Sequence, residues 1–111
     1  MIELVFKEFL EQTLGIPVFL EKPENKPNKY LKIERIGEPT VNRIEHCTIV
    51  VQSCTNSLFE AAELNGEVIK VMESIAETKN DISKCKLSSD YNFTNPKTKE
   101  YRWQATFEVA Y

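Results

Sequence analysis

His46 is the only histidine of the 111-residue chain, and it sits beside Cys47, a pairing that invites a test for nucleophile and base. Adjacent residues of a strand point to opposite faces, so these two cannot exchange a proton. His46 therefore reads as a strand residue facing solvent or packed at a sheet edge. Cys54 lies just ahead of a helix start, where the helix dipole can lower a thiol's pKa, yet no second catalytic partner accompanies it. Glu34 and Glu45 can in principle approach across strands as paired carboxylates, but nothing in their spacing distinguishes that from two solvated strand residues, which is the commoner case. The three glycines, Gly15, Gly37 and Gly66, are too far apart to form a phosphate-cradling loop. Cys47, Cys54 and Cys85 form an odd set without a C-x-x-C pair, which points to reduced thiols rather than a disulfide framework or a structural zinc site. The expectation is a protein that binds and assembles, with no catalytic residue, metal ligand, cofactor or small-molecule substrate.

Composition points the same way. A chain of this length affords one domain with one modest core, and 41% apolar with 28% charged residues is ordinary for a folded protein. Acidic residues outnumber basic ones by 17 to 14, a net charge of −3 that opposes broad attraction to nucleic acid. No run approaches the ~18 apolar residues of a membrane span. Glu3, Glu8 and Glu11 fall where a signal peptide would avoid them, so a cytosolic location is expected and no membrane partner.

The elements that would position these residues follow from hydrophobic period. Ile2, Val5, Phe6, Phe9, Leu10 and Leu14 share one side of a first helix, which Gly15 and Pro17 stop. Ile16 to Glu21 reads as a short strand, and Lys22 to Asn28, marked by Pro23 and Pro27, as an exposed loop that reaches up to ~25 Å if extended. Strands are expected from Lys29 to Gly37 and from Arg43 to Ser53, with a turn around Pro39 between them. The apolar run Thr48-Ile49-Val50-Val51 puts the second of these at the sheet centre.

Ser57-Leu58-Phe59-Glu60 has the form of a capping box, in which serine and glutamate satisfy each other's amides at the start of a long helix. Leu58, Ala61, Ala62, Val68, Ile69, Met72, Ile75 and Ala76 keep one helical phase, and burying that stripe contributes on the order of 10 kcal/mol before entropy is subtracted. Gly66 interrupts the stripe without changing its phase, so one helix is expected, with a close-packed neighbour to explain the glycine. Two strands, Asp81 to Phe93 and Glu100 to Tyr111, then form a long hairpin around Asn95-Pro96. In the last one Tyr101, Trp103, Ala105, Phe107, Val109 and Tyr111 share the face that meets the helices. The fold class is α+β, a mainly antiparallel sheet of about five strands with two helices on one face, in the order α-β-β-β-α-β-β, as a single domain over residues 1–111.

Three features fall outside that scheme. Tyr91, Phe93, Tyr101 and Trp103 cluster around the last hairpin; a base-stacking platform is one reading, and core packing, favoured for Trp103 and Phe107, is the other. Phe59 falls about 100° from the centre of the second helix's stripe, which leaves a subunit contact or local packing open. Asn65 lies inside the stripe, where a buried amide must be hydrogen-bonded or sit at a polar subunit contact.

Taken in order, three segments resemble the small tail-completion, or tail-terminator, proteins of long-tailed bacteriophages, particularly those of phages of Gram-positive hosts. The carriers are Pro27-Asn28-Lys29-Tyr30-Leu31-Lys32-Ile33-Glu34-Arg35-Ile36-Gly37 after a proline-punctuated loop, the junction from Val51 to Ala62, and the hairpin from Ser88 to Ala105. Where that family often has a Gly-Gly turn this chain has Gly37-Glu38, and Cys54 stands where an aromatic residue is common. The resemblance implies a structural virion protein that closes a ring, usually of six subunits, on the end of the tail tube, stops tail growth and offers a surface for the head. Its partners would be further copies of itself, tail-tube proteins and head-connector proteins. DNA would pass through the ring without specific binding, which suits an acidic balance. The location implied is the virion tail or neck, and the host cytoplasm during assembly.

On this view the Lys22 to Asn28 loop, with Pro23 and Pro27, and the hairpin end, with Phe93, Asn95, Pro96, Lys97 and Lys99, contact neighbouring subunits or the tube, and Phe59 and Asn65 are the helical candidates. The alternative is a cytosolic adaptor that binds a protein or peptide along a free sheet edge.

Overall fold

A computed structural model of the chain describes residues 2–37 and 46–111. It has two helices and a five-stranded mixed sheet in the expected order. These are α1 (Ile2–Leu14), β1 (Val18–Phe19), β2 (Tyr30–Gly37), β3 (His46–Thr55), α2 (Leu58–Thr78), β4 (Lys84–Asn92) and β5 (Tyr101–Ala110). The expected turn around Pro39, Glu45 and the start of the third strand at Arg43 lie outside the described residues.

Helix α1 buries Ile2, Phe6, Phe9 and Leu10, the inner part of its apolar face. It stops at Gly15, whose φ of +69° is the left-handed conformation that glycine adopts freely, and whose N–H reaches the Glu11 carbonyl at 2.9 Å. Beyond it, β1 is only two residues long and pairs in parallel with β2, Val18 opposite Leu31. This departs from the antiparallel neighbours expected of short connections. Because β1 is so short, the connection over residues 20–29 has little ground to recover before β2 starts in the same direction.

Sheet order is β1-β2-β3-β5-β4, which makes β3 the central strand as its apolar run predicts. Strand β5 lies between β3 and β4 and is antiparallel to both, so β3 and β4 run in the same direction with α2 as their crossover. Twenty-one helical residues span roughly 31 Å, close to the roughly 33 Å of a ten-residue strand, so α2 covers the strands along most of their length. A one-residue bulge between Leu87 and Ser89 shifts the β4–β5 register.

The core lies between the helices and one sheet face, with Phe6, Leu10, Leu31, Ile33, Ile49, Val51, Leu64, Met72, Ile75 and Phe107 fully enclosed. Four expectations for α2 and β5 need correction. Leu64 is buried whereas Leu58 and Ala62 are exposed, because the covered stripe is rotated towards Ala61, Leu64, Val68 and Ile75. Gly66 has no close-packed neighbour: a Cβ placed there meets nothing within 4 Å. Ser57 Oγ accepts from the Glu60 amide at 3.2 Å, but the Ser57 amide turns to Thr55 Oγ1 at 3.4 Å, so the capping box is formed on one side only. Trp103 is half-buried rather than in the core, since its indole Nε1–H donates to Asp90 Oδ1 at 3.0 Å near the end of the hairpin.

Candidate interaction surface

Strand alternation divides the side chains of the sheet between two environments. On the helix side stand Leu31, Ile33, Ile49, Val51 and Phe107. On the other side, which no helix covers, stand Tyr30, Lys32, Gln52, Cys54, Arg102 and Gln104. Hydrogen bonds across strands order this outer face. Gln52 Nε2 donates to Gln104 Oε1 at 2.9 Å, Gln104 Nε2 donates to the Tyr91 hydroxyl at 2.6 Å, and Thr48 Oγ1 donates to Glu108 Oε2 at 3.3 Å. A rigid polar platform results.

Two adjoining shallow clefts, of about 170 and 230 Å³, open where this face meets the loop over residues 20–29 and the hairpin tip. Tyr30, Cys54, Glu100 and Arg102 line both. Lys22 and Lys26 from the loop converge on Glu100 of the hairpin, with Nζ–Oε1 distances of 3.5 and 3.0 Å. The hydrogen bond from Lys26 holds the Glu100 carboxyl below its usual range, and the same bond raises the Lys26 ammonium. Among the described residues, Lys22, Lys26, Lys32, Lys99 and Arg102 border the clefts against one carboxylate, that of Glu100. Arg102 lies with Cζ 5.0 Å from the centre of the Phe93 ring, a cation–π stack, and its buried Nε has no hydrogen-bond partner.

Burial dominates the floor of the cleft. It pushes the Tyr30 hydroxyl up to about 12, with adjacent Cys54 adding to the rise, and it raises the Cys54 thiol as well. The lowering of the Cys54 pKa that proximity to a helix start allows is therefore overridden by desolvation. His46 is half-exposed while Cys47 is buried, on opposite faces of β3 as expected. No group of three or more His, Cys, Asp or Glu able to hold a metal occurs among the described residues. No helix among them is long and apolar enough to cross a membrane.

The candidate contact residues fall into three places. Pro27 and Lys99 line the cleft, and Pro23 is half-buried in the loop beside it. Phe93, 42% exposed, and Tyr91, 44% exposed, meet edge to face at the adjoining hairpin end. The tip itself is a four-residue turn, Pro96 to Lys99, exposed throughout. The Lys99 amide donates to the Asn95 carbonyl at 2.9 Å, the Lys97 amide donates to Asn95 Oδ1 at 3.0 Å, and Lys99 takes a left-handed φ of 55°. Phe59 stands apart, 73% exposed on the first turn of α2. Asn65 is buried at 4% under the same helix, and its Oδ1 has no hydrogen-bond partner.

Sequence reasoning did not single out Tyr30, Lys32, Glu100 or Arg102 as parts of one site. The alternation of β5 put Arg102 on the side away from the helices, but only the pairings Tyr30 with Cys54 and Cys54 with Arg102 bring the three strands' residues together. No family model matches the chain, and no curated protein matches it.

Proposed function

We infer that this protein is a structural component of a long-tailed phage, forming a ring at the end of the tail tube that terminates tail growth and joins tail to head. One observation carries the reading: the sheet is helix-covered on one face only. Across the open face, the two proline-marked segments expected to make contacts are pinned side by side through Glu100. A protein that works through its periphery needs such a prebuilt outer surface. A catalytic protein needs a roomy pocket with convergent catalytic groups, and the clefts here are small, about 170 and 230 Å³, with cations along their border. Phe59 adds exposed apolar area on the opposite layer, which suits contact between unlike surfaces of successive copies. In this role the protein is not an enzyme, and DNA is threaded through the ring without specific contacts.

The adaptor reading rests on β4, a nine-residue edge strand with no outer neighbour among the described residues. Lys84, Lys86 and the bulge before Ser89 blunt that edge against strand addition, so the ring is preferred. Native mass spectrometry with negative-stain imaging of the purified chain tests the choice. Closed annular particles of one stoichiometry are expected, and a monomer at every concentration rejects the ring.

A further inference from the structure

Charge in this molecule is sorted by layer. Helix α1 carries three glutamates against Lys7, and α2 carries five against Lys70, so the helical layer is strongly acidic. Across the sheet, the clefts of the open face set five cationic side chains against the carboxylate of Glu100 among the described residues. A net charge of −3 thus conceals an acidic helical layer on one side of the sheet and locally cationic clefts on the other.

Local structure sharpens the match. The first three turns of α2 present Phe59, Ala62, Glu63 and Gly66 at helical spacing on the outer side, all exposed. Gly66 has open space around its missing side chain, so another backbone can approach this part of the helix closely. Phe59 projects from it as the largest exposed apolar side chain, and Glu63 and Glu67 flank it. Opposite, Lys32 and Lys99 border the clefts beside Arg102.

Resting on the self-assembling reading above, we propose that successive copies join head to tail, the N-terminal half of α2 in one copy seated on the cationic cleft of the next. Such a contact is heterologous: each copy uses one surface to give and the other to receive, and a constant rotation closes it into a ring. Phe59 supplies the apolar anchor, while the glutamates and lysines set orientation and register.

Charge reversal on each side separately, and then on both, tests this. By sedimentation velocity in low salt, the pair Glu63→Lys and Glu67→Lys is expected to weaken self-association at least about tenfold, and so is the pair Lys32→Glu and Lys99→Glu. A chain carrying all four reversals regains most of the affinity, because attraction is restored with its signs exchanged. Phe59→Ser weakens assembly with no change in far-ultraviolet circular dichroism, and added salt weakens the wild-type assembly. If the wild-type chain assembles while neither reversed pair changes it, or if the four reversals together are as weak as either pair, the contact lies elsewhere and the proposal falls although the ring reading stands. A wild-type chain that stays monomeric removes both.

Discussion

Lys26 reaches across 74 positions of sequence to Glu100, its Nζ 3.0 Å from Oε1, and so ties the loop between β1 and β2 to the hairpin tip. Because Glu100 is held below its ordinary pKa, its contribution is present above the unfolded-state value of 4.5 and is lost as pH falls through the lower folded value. Lys26 is raised, so its contribution is present below 10.5 and is lost only as pH rises through its folded value. Both hold at neutral pH. Glu100→Gln should therefore speed amide exchange in the peptide covering residues 20–29 at pH 7 while barely moving the melting temperature, as befits an exposed pair. After correction for intrinsic rates, the difference between variant and wild type should vanish in acid; equal exchange at pH 7 would show that the pair does not hold the loop.

Gly66 sits in mid-helix with nothing within 4 Å of an added Cβ, and no positive φ is recorded for it. Gly66→Ala should then stabilise the isolated chain by roughly 0.5–1 kcal/mol, through higher helix propensity and a less flexible unfolded state. The check is a thermal melt, with a rise of a few degrees expected. A destabilised variant would mean that the helix is not regular at this point.

Hydrophobic period made both helices, the hairpin and the central place of β3 legible before any coordinates. Phe6 and Leu10 in α1, or Ala105, Phe107 and Val109 in β5, recur at spacings that only one secondary structure can bury on one face. What period cannot encode is the partner across a ladder. Arg102 alternates outward in β5 whichever strand lies beside it, and the pairing of β5 with β3 alone sets it opposite Cys54 and next to the cleft. The parallel pairing of β1 was hidden for a related reason, since a two-residue strand carries no pattern. Exposed Phe59 was legible as a break in phase, whereas the convergence of Lys22 and Lys26 on Glu100 depends on the path of an irregular loop.

Only one half of the capping box forms, and that asymmetry is measurable. Ser57→Ala removes the acceptor for the Glu60 amide and should cost about 1 kcal/mol. Glu60→Ala leaves that bond in place and removes only the carboxylate near the helix N-terminus, so a loss of at most a few tenths of a kcal/mol is expected. Urea unfolding of the two variants measures both. Equal losses would mean that Glu60 does reach back to the Ser57 amide in solution.

Alkaline pH should destabilise the chain through its buried thiol and phenol groups. Burial pushes the Cys85 thiol up to about 12 from 9.0, and the Tyr30 hydroxyl up to about 12 from 10.0. Both are raised, so their contribution is fully present below about pH 9, where the unfolded chain keeps its protons, and is lost as pH rises towards 12. Urea midpoints should fall progressively above pH 9, and Cys85→Ala, whatever cavity it leaves, should reduce the part of that fall between 9 and 10, the remainder coming from Cys54, which burial also raises. Thiol reagents should modify Cys85 at the rate of unfolding, since the side chain is 9% exposed. A flat alkaline profile would place the thiol in water.

Lys99 combines backbone strain with a place in the cleft. Its φ of 55° lies in the left-handed region, which costs a residue with a Cβ roughly 1–2 kcal/mol, and its amide closes the tip onto the Asn95 carbonyl at 2.9 Å. Glycine relieves that strain but loosens the unfolded chain by about 0.4–1 kcal/mol, so Lys99→Gly should gain up to about 1.6 kcal/mol over wild type. Lys99→Ala retains the strain and should be the less stable of the two by about 1 kcal/mol. Both variants remove the same cation from the cleft border, so self-association should weaken in both alike. A strained lysine kept where glycine is the better fit is what a functional contact would select, and this pair of substitutions separates the two effects: melts that rank glycine above alanine with assembly reduced equally fit that account. Unchanged assembly in both would leave the strain without a role in contact.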